Sequence, residues 1–275
     1  MTLMKRVIIV GPTSWDTVIN IANFPENGGF AQGKNRSERP GGSGLNIAAA
    51  VASSGVRTRL ISYVGDDNIG SGLLENLQRT AIQEIDVKVL PGPSLHAIIT
   101  VDDDGERTVF ALEENRFSEI ESSVTFDKND VVVFPVWRAF YRTMLESAQL
   151  VGATTVVGVN AIKDKDIHAE YIVGSIKDVT DFEFDSDRFQ IAVITKGPEG
   201  VEIFYGHEKE QLPAKPVPIV DATGAGDSFL AGMLVGLAQG ERARESAEIG
   251  IHWASFAIQS SSSVPPHWDE IQPLG

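Results

Sequence analysis

The spacing of apolar residues along the chain switches between two periods. Residues Arg6 to Val10 form a short apolar run that Gly11-Pro12 closes, the pattern of a buried strand. From Gly44 to Ser54, "GLNIAAAVASS" has a helical composition, opened by "PGGS" and stopped by Gly55. "TRLISYVG" returns to strand, and "IGSGLLENLQRT" carries Leu73, Leu74 and Leu77 at helical spacing. Further on, "DVVVFPV", "ATTVVGV" and "QIAVITKG" read as strands, and "FYRTMLESAQLVG" and "ARESAEIGIHWASFAIQS" as helices, with a less regular stretch around "EYIVGSIKDV". This alternation predicts a parallel sheet covered by helices.

Two segments break the alternation. Residues 18–39 mix β-type residues with Gly, Pro and Asn, which predicts short strands and turns. In residues 96–111, "HAIITV" and "ERTVFA" are joined by Asp102-Asp103-Asp104-Gly105, a hairpin signal. That acidic turn lacks the later ligands and closing Glu of a calcium loop. With no repeat and no linker rich in Gly, Ser or Pro, the whole of 1–275 reads as one α/β domain with a small β excursion.

Composition narrows the chemistry. A formal net charge of −15 argues against nucleic acid or an anionic membrane surface as the main partner. The chain has 0 Cys, which removes disulfides, thiolate nucleophiles and cysteine-ligated zinc. The apolar run near the N-terminus is too short for a signal-peptide core, and no run approaches the length of a membrane span, so the cytoplasm is the expected location. The five histidines are scattered without metal-binding spacing.

One stretch stands apart: "PIVDATGAGDSFLAGMLVGLAQG", residues 218–240. Phe229, Leu230, Met233, Leu234 and Leu237 recur at helical spacing, so a helix begins at about Ala225 or Gly226. Its unpaired N–H groups and positive dipole end, reached past Gly224 and Gly226, make a site for an anion. Asp227 in the first turn has two readings. It could simply complement the helix dipole, an effect of roughly 0.3–1 kcal/mol. It could also be a general base where an acceptor hydroxyl meets a phosphoryl group. The glycines beside it favour the base, because a dipole-complementing carboxylate has no need of an anion loop. A Walker loop is absent, and Gly224-x-Gly226 reaches Phe229 where a dinucleotide fingerprint wants its third Gly.

With these residues the chain resembles the ribokinase-like, or PfkB, family of carbohydrate and nucleoside kinases. "DATGAGDSFLAG" is similar to that family's C-terminal signature, and "RPGGSGLNIAAAVASSGVRTRLISYVGDDNIG" to its N-terminal one. The resemblance implies a ribokinase-like, Rossmann-like α/β fold: a mostly parallel central sheet with helices on both faces and a small β lid, here from about 18–39 and 96–111. It implies a lid-mediated homodimer as one assembly. It assigns Asp227 as catalytic base and Gly224, Ala225 and Gly226 as anion hole. Asp16, Gly41, Gly42 and Asn46 match substrate-contacting positions, and Thr195, Gly197 and Gly200 of "ITKGPEG" match an ATP loop. Asp221 matches a position that helps bind a monovalent cation, K⁺, in some members.

The chain also departs from that family. The N-x-x-E motif that organises Mg²⁺ is met only by Ser175-Ile176-Lys177-Asp178, which leaves Asp178 as a second-shell candidate, and the D-P-N motif becomes Gly158-Val159-Asn160. Mg²⁺ is still required on chemical grounds to neutralise the β and γ phosphates of ATP. The expected activity is ATP-dependent phosphorylation of a hydroxyl on a small sugar or polyol. Nucleoside or inositol kinase activity and a non-catalytic sugar or nucleotide sensor are the alternatives. Trp137 and Arg138, at the C-terminal end of "VVVFPV", and Arg107 and Arg116, flanking "TVFA", are further candidate contacts.

Overall fold

The computed structural model describes residues 4–103, 105–120, 124–260 and 264–271. Asp104, in the expected hairpin turn, lies outside them.

The strand signals at the start of the chain pair across long sequence distances. β1 (Arg6–Val10) lies between β4 (Thr58–Gly65) and β8 (Asp130–Phe134), parallel to both. On one side β4 is followed by β5 (Glu84–Leu90). On the other, β8 leads through β9 (Thr154–Gly158) and β10 (Ala169–Ser175) to β11 (Phe189–Thr195), all parallel. β12 (Val201–Tyr205) and β13 (Glu208–Leu212) close that side as antiparallel strands. The chain leaves β1 in one direction and returns to its other side at β8. Open α/β sheets place ligands at such a reversal, beyond the C-terminal ends of the strands.

Alternation along each strand feeds two cores. Val7 and Ile9 of β1 face one layer, with Leu60, Val131, Val133, Val173 and Val193; Ile8 and Val10 face the other, with Ile61, Val132, Phe134 and Ile172. The first layer is covered by α1 (Ser43–Ser53), α4 (Ala225–Gln239) and α5 (Ala243–Ala257). α4 is apolar nearly all round, and its residues from Ser228 to Ala238 are buried, as expected of a helix enclosed by the sheet and its neighbours. The second layer takes α3 (Arg142–Leu150) through Met144, Leu145 and Ala148. α2 (Asn68–Leu77) packs beside β4 and is capped by Asp67, which accepts from Gly70 N and from Ser94.

The connections from β9 to β10 and from β10 to β11 contain short 3₁₀ turns in place of α-helices. Buried Arg188 supports the first of them, donating to the carbonyls of Ala161, Ile162, Asp164 and Ile167. Phe182 and Phe184 pack on Phe204 along the second.

The irregular segments form a separate four-stranded sheet: β3 (Asn35–Gly41), β2 (Ser14–Asn20), β6 (His96–Val101) and β7 (Arg107–Ala111), in that order. β2 starts at Ser14, four residues before the segment that the Gly, Pro and Asn pattern marks. The small sheet therefore springs almost directly from the end of β1. Among the described residues, no helix is long and apolar enough to cross a membrane.

Candidate active site

Asp16 reaches the site on β2. Register puts it level with Arg39 on β3 and Ala97 on β6, and paired residues share a face of the sheet. Its carboxylate is buried and accepts a hydrogen bond from Ser14 Oγ at 2.8 Å. Burial pushes the Asp16 carboxyl above the usual carboxylate range, while the Ser14 hydrogen bond and the charges of Arg39 and His96 pull against it. Gly41 closes over Asp16: a Cβ there would stand 2.0 Å from Asp16 Oδ2. Gly42 precedes α1 at φ 91°, and a Cβ on it would meet the Pro12 carbonyl at 2.6 Å. Asn46 projects from the first turns of that helix.

The second carboxylate arrives on α4. Gly224 is its N-cap, in the left-handed region at φ 80° that glycine tolerates, and Ala225 and Gly226 are the first helical residues. A Cβ built on Gly226 would meet nothing within 4 Å, so the loop is open there to an approaching group. Asp227 follows in the first turn and accepts from Asn46 Nδ2 at 3.0 Å. Burial raises the Asp227 carboxyl to about 6; the Asn46 hydrogen bond and the charge of Arg107 lower it, and Asp16 raises it. Asn46 and Asp227 thus meet from two helices, and the charges of Asp16 and Arg107 on the small sheet are felt at Asp227.

The other expected residues lie along the same edge of the sheet. Thr195 ends β11, and the loop after it turns through Gly197 at φ 59°. Gly200 is buried with its Cβ position 2.0 Å from the Leu212 carbonyl, so it lets β12 leave the loop beside β13. Asp221 Oδ1 accepts from Thr223 N at 2.7 Å, in the segment entering the glycine loop. Thr223 Oγ1 is buried there without a hydrogen-bond partner, an acceptor-donor aimed at no protein group. It suits a loop that receives a polyanion.

Asp178, the second-shell candidate for Mg²⁺, follows β10. It is exposed at the end of a 3₁₀ turn, Ser175 Oγ accepts from Lys177 N, and Lys177 carries a positive charge into the segment. Among the described residues no three His, Cys, Asp or Glu side chains are placed to hold a metal ion. The described residues therefore offer no carboxylate cluster for Mg²⁺.

Trp137 is also outside the cleft. It is 4% exposed, its indole N–H donates to Asp164 Oδ2 at 3.0 Å, and Asn160 brackets its backbone. Arg116 donates to the carbonyls of Pro91 and Pro93, fastening a loop. Arg138 is exposed and bonds the Trp137 carbonyl. Ser14, Arg39, His96 and Thr223 were not legible as site residues, because only the pairing of β2 with β3 and β6 and the folding of the glycine loop bring them in.

A carboxylate beside an open glycine loop at a helix N-terminus, under a small second sheet, is the arrangement expected of a phosphotransferase with an alcohol group as acceptor. The model of the pfkB family of carbohydrate kinases matches residues 4–134 and 174–270, and the chain belongs to that family. An ATP-dependent ribose-1-phosphate kinase of Halopiger xanaduensis is 27% identical over 264 residues, covering 84% of each chain. A nucleoside kinase of Methanocaldococcus jannaschii is 25% identical over 301 residues, covering 98% of this chain and 96% of its own. In structure, ribokinase from Thermotoga maritima matches with a TM-score of 0.77 at 21% identity, over 97% of this chain and 98% of that one. The segment between the two family matches, 135–173, contains Trp137 and the helix-free β9–β10 connection.

Proposed function

We propose that this protein transfers the γ-phosphoryl group of ATP to a hydroxyl of a small sugar or sugar derivative. The observation that carries the reading is Asp227. It is a carboxylate with a raised pKa, hydrogen-bonded by Asn46, one residue past an open glycine loop at a helix N-terminus. Asp16, Gly41, Gly42 and Asn46 orient the acceptor between the two sheets. Asp227 takes the proton of the acceptor hydroxyl, whose oxygen forms the new bond to γ-phosphorus as the bond to the β–γ bridging oxygen breaks. The N–H groups of Gly224, Ala225 and Gly226 stabilise the charge on the transferring group. Thr195 and Gly197 border the nucleotide, and exposed Ile219 and Val220 give its base an apolar surface beside the loop. Mg²⁺ comes with the nucleotide phosphates, and Asp221 is the carboxylate for a K⁺ ion.

The wall facing the acceptor supports a sugar over a nucleoside. Register puts Asp16, Val18, Asn20, Ala97, Ile99 and Val101 of β2 and β6 on the cleft face, none of them aromatic. Trp137 offers no ring to a nucleobase because it is buried against Phe134 and Tyr141. A sensor has no use for a base and an anion loop held together, so their retention favours catalysis. The outer face of the small sheet, where Phe24 stacks on Phe110 with both partly exposed, is the surface for a second copy of the chain in a homodimer.

ADP release from Mg²⁺-ATP with a panel of sugars, polyols and nucleosides tests the reading. Turnover with a sugar, lost in Asp227→Asn, is the expected result; ligand-dependent melting shifts without any ADP release would identify a sensor.

A further inference from the structure

Arg39 stands in the row of the small sheet that holds the acceptor carboxylate. Register sets Arg39 of β3, Asp16 of β2, Ala97 of β6 and Ala111 of β7 side by side across the sheet. Paired residues share a face, so all of them turn to the cleft. The two alanines end at a methyl group, which leaves Arg39 as the one long side chain of the row. Gly41, two residues further along β3 and on the same face, closes directly over Asp16. The guanidinium therefore borders the space above Asp16 that an acceptor must fill.

Three duties could keep an arginine there without a ligand. It could neutralise Asp16, since directly opposed residues have Cβ atoms about 4.5–5.5 Å apart, within reach of an ion pair. Asp16 instead accepts from Ser14 Oγ at 2.8 Å, and burial keeps its carboxyl above the usual range against the pull of Arg39. It could bond another acid, as the neighbouring cations do: Lys34 bonds Asp103 at 2.7 Å and Arg36 bonds Glu38. Yet Arg39 is half-buried, and its guanidinium makes no hydrogen bond or ion pair among the described residues. It could guard the edge strand β3 against another chain. Lys34, Arg36 and Glu38 already charge that edge, and a guard has no reason to face the cleft. A half-buried cation without a partner carries a desolvation cost that a bound anion would offset.

The charge of the cleft points the same way. Asp16 and Asp227 are both carboxylates, in a chain of net charge −15. A neutral sugar needs no cation beside them, whereas an anionic one would be repelled unless a cation met it.

We infer that the acceptor is an anionic sugar derivative, a sugar acid or a sugar phosphate, whose carboxylate or phosphate is bound by the Arg39 guanidinium while Asp16 takes its hydroxyls. The inference rests on the kinase reading above and narrows its substrate class. The anion is a handle and takes no part in the bond exchange. The phosphoryl group goes to a hydroxyl of the same molecule, the hydroxyl proton to Asp227, and the electron pair of the broken bond to ADP. A guanidinium fork meets two oxygens of either anion at once, which an ammonium cannot do. Arg39 is thus a specificity-determining residue.

The test assays the full chain for ADP release from Mg²⁺-ATP with matched acceptors: gluconate and glucitol, fructose 6-phosphate and fructose, ribose 1-phosphate and ribose. The expected result is a kcat/KM at least about 100-fold higher for one anionic member than for its neutral partner, and the pair concerned tells a carboxylate from a phosphate. In Arg39→Gln that ratio falls by about 30-fold or more, through the KM of the anionic member, and Arg39→Lys recovers part of it. The ratio is the readout because damage to Asp16 or to the fold lowers both members together. A second readout needs no turnover: the same anionic acceptor alone raises the melting temperature of the wild type, and Arg39→Gln loses that shift. Such a shift without ADP release from any acceptor would keep the bound anion and remove the kinase reading. Neutral members turned over as well as their anionic partners overturn the inference and leave the kinase reading standing. So does a ratio in Arg39→Gln equal to that of the wild type. Neither turnover nor a melting shift with all of the anionic members also overturns it.

Discussion

Asn46 on α1 donates a hydrogen bond to Asp227 on α4 across 3.0 Å, joining residues 181 positions apart in the chain. The bond favours the charged carboxylate, whereas burial favours the neutral acid and prevails, leaving the carboxyl at about 6. A base must be deprotonated to work. The activity kcat/KM should therefore fall about tenfold per pH unit on the acid side of this value and level off above it. Asn46→Ala removes a force that lowers the pKa, so the acid limb should move to higher pH as turnover declines. A pH–rate profile of both proteins checks this, and an identical limb in the variant would contradict it.

The same carboxyl links pH to stability with a definite sign. Its folded-state pKa lies above the unfolded value, so its favourable contribution is present at low pH and is lost as pH rises through about 6. Asp227→Asn removes the buried charge. The variant should exceed the wild type in stability at about pH 8 by roughly 1–3 kcal/mol, with the gap closing as the pH is lowered. Its turnover should drop by about 10³-fold or more. Thermal melts across pH separate the two effects, because an inactive variant with no gain at alkaline pH would place the charge burden elsewhere.

Gly41 and Asp16 are in contact of a kind that tolerates no side chain. A Cβ on Gly41 would stand 2.0 Å from Oδ2 and 2.4 Å from Cγ of Asp16, and Asp16 is held from its other oxygen by Ser14. Gly41→Ala must push the carboxylate out of place. Acceptor KM should rise by about 10- to 100-fold with a loss of stability near 1 kcal/mol. With Asp16 on the acceptor as proposed, ATP KM should be almost unchanged. Steady-state kinetics in both substrates decide it.

What could be read from the sequence follows burial. β1, α1 and α4 are enclosed, so their apolar periodicity is strong and their limits agree with the pattern to about one residue. Of the strands that the pattern did not mark, β5 with "EIDVKVL" and β13 with "EKEQL" are the two edges of the central sheet, and β12 lies next to one of them. Edge strands carry charge that blunts pairing with other chains, and that charge hides their period. The less regular "EYIVGSIKDV" is β10, followed by a 3₁₀ turn, and the absence of a flanking helix there removed the usual cue. Asp227 and its glycines were legible because loop and helix start are contiguous. Arg39, His96 and the Asn46–Asp227 bond depend on strand register and helix packing, which no local pattern encodes.

Trp137 gives a prediction about what does not choose the substrate. Its ring lies edge-on to Phe134 at 5.9 Å and to Tyr141 at 6.3 Å, and its N–H bonds Asp164, which also receives Arg142 Nη2 at 2.9 Å. A residue so enclosed acts through packing and one hydrogen bond. Trp137→Phe keeps most of the apolar volume, removes that donor, and leaves Asp164 its arginine. Stability should fall by about 1–3 kcal/mol. The order of preference among sugar, polyol and nucleoside acceptors should stay the same. Denaturant melts and the acceptor panel on one preparation check both outcomes; a reordered panel would mean that the ring reaches the acceptor, and the case for a sugar over a nucleoside would lose one of its two supports.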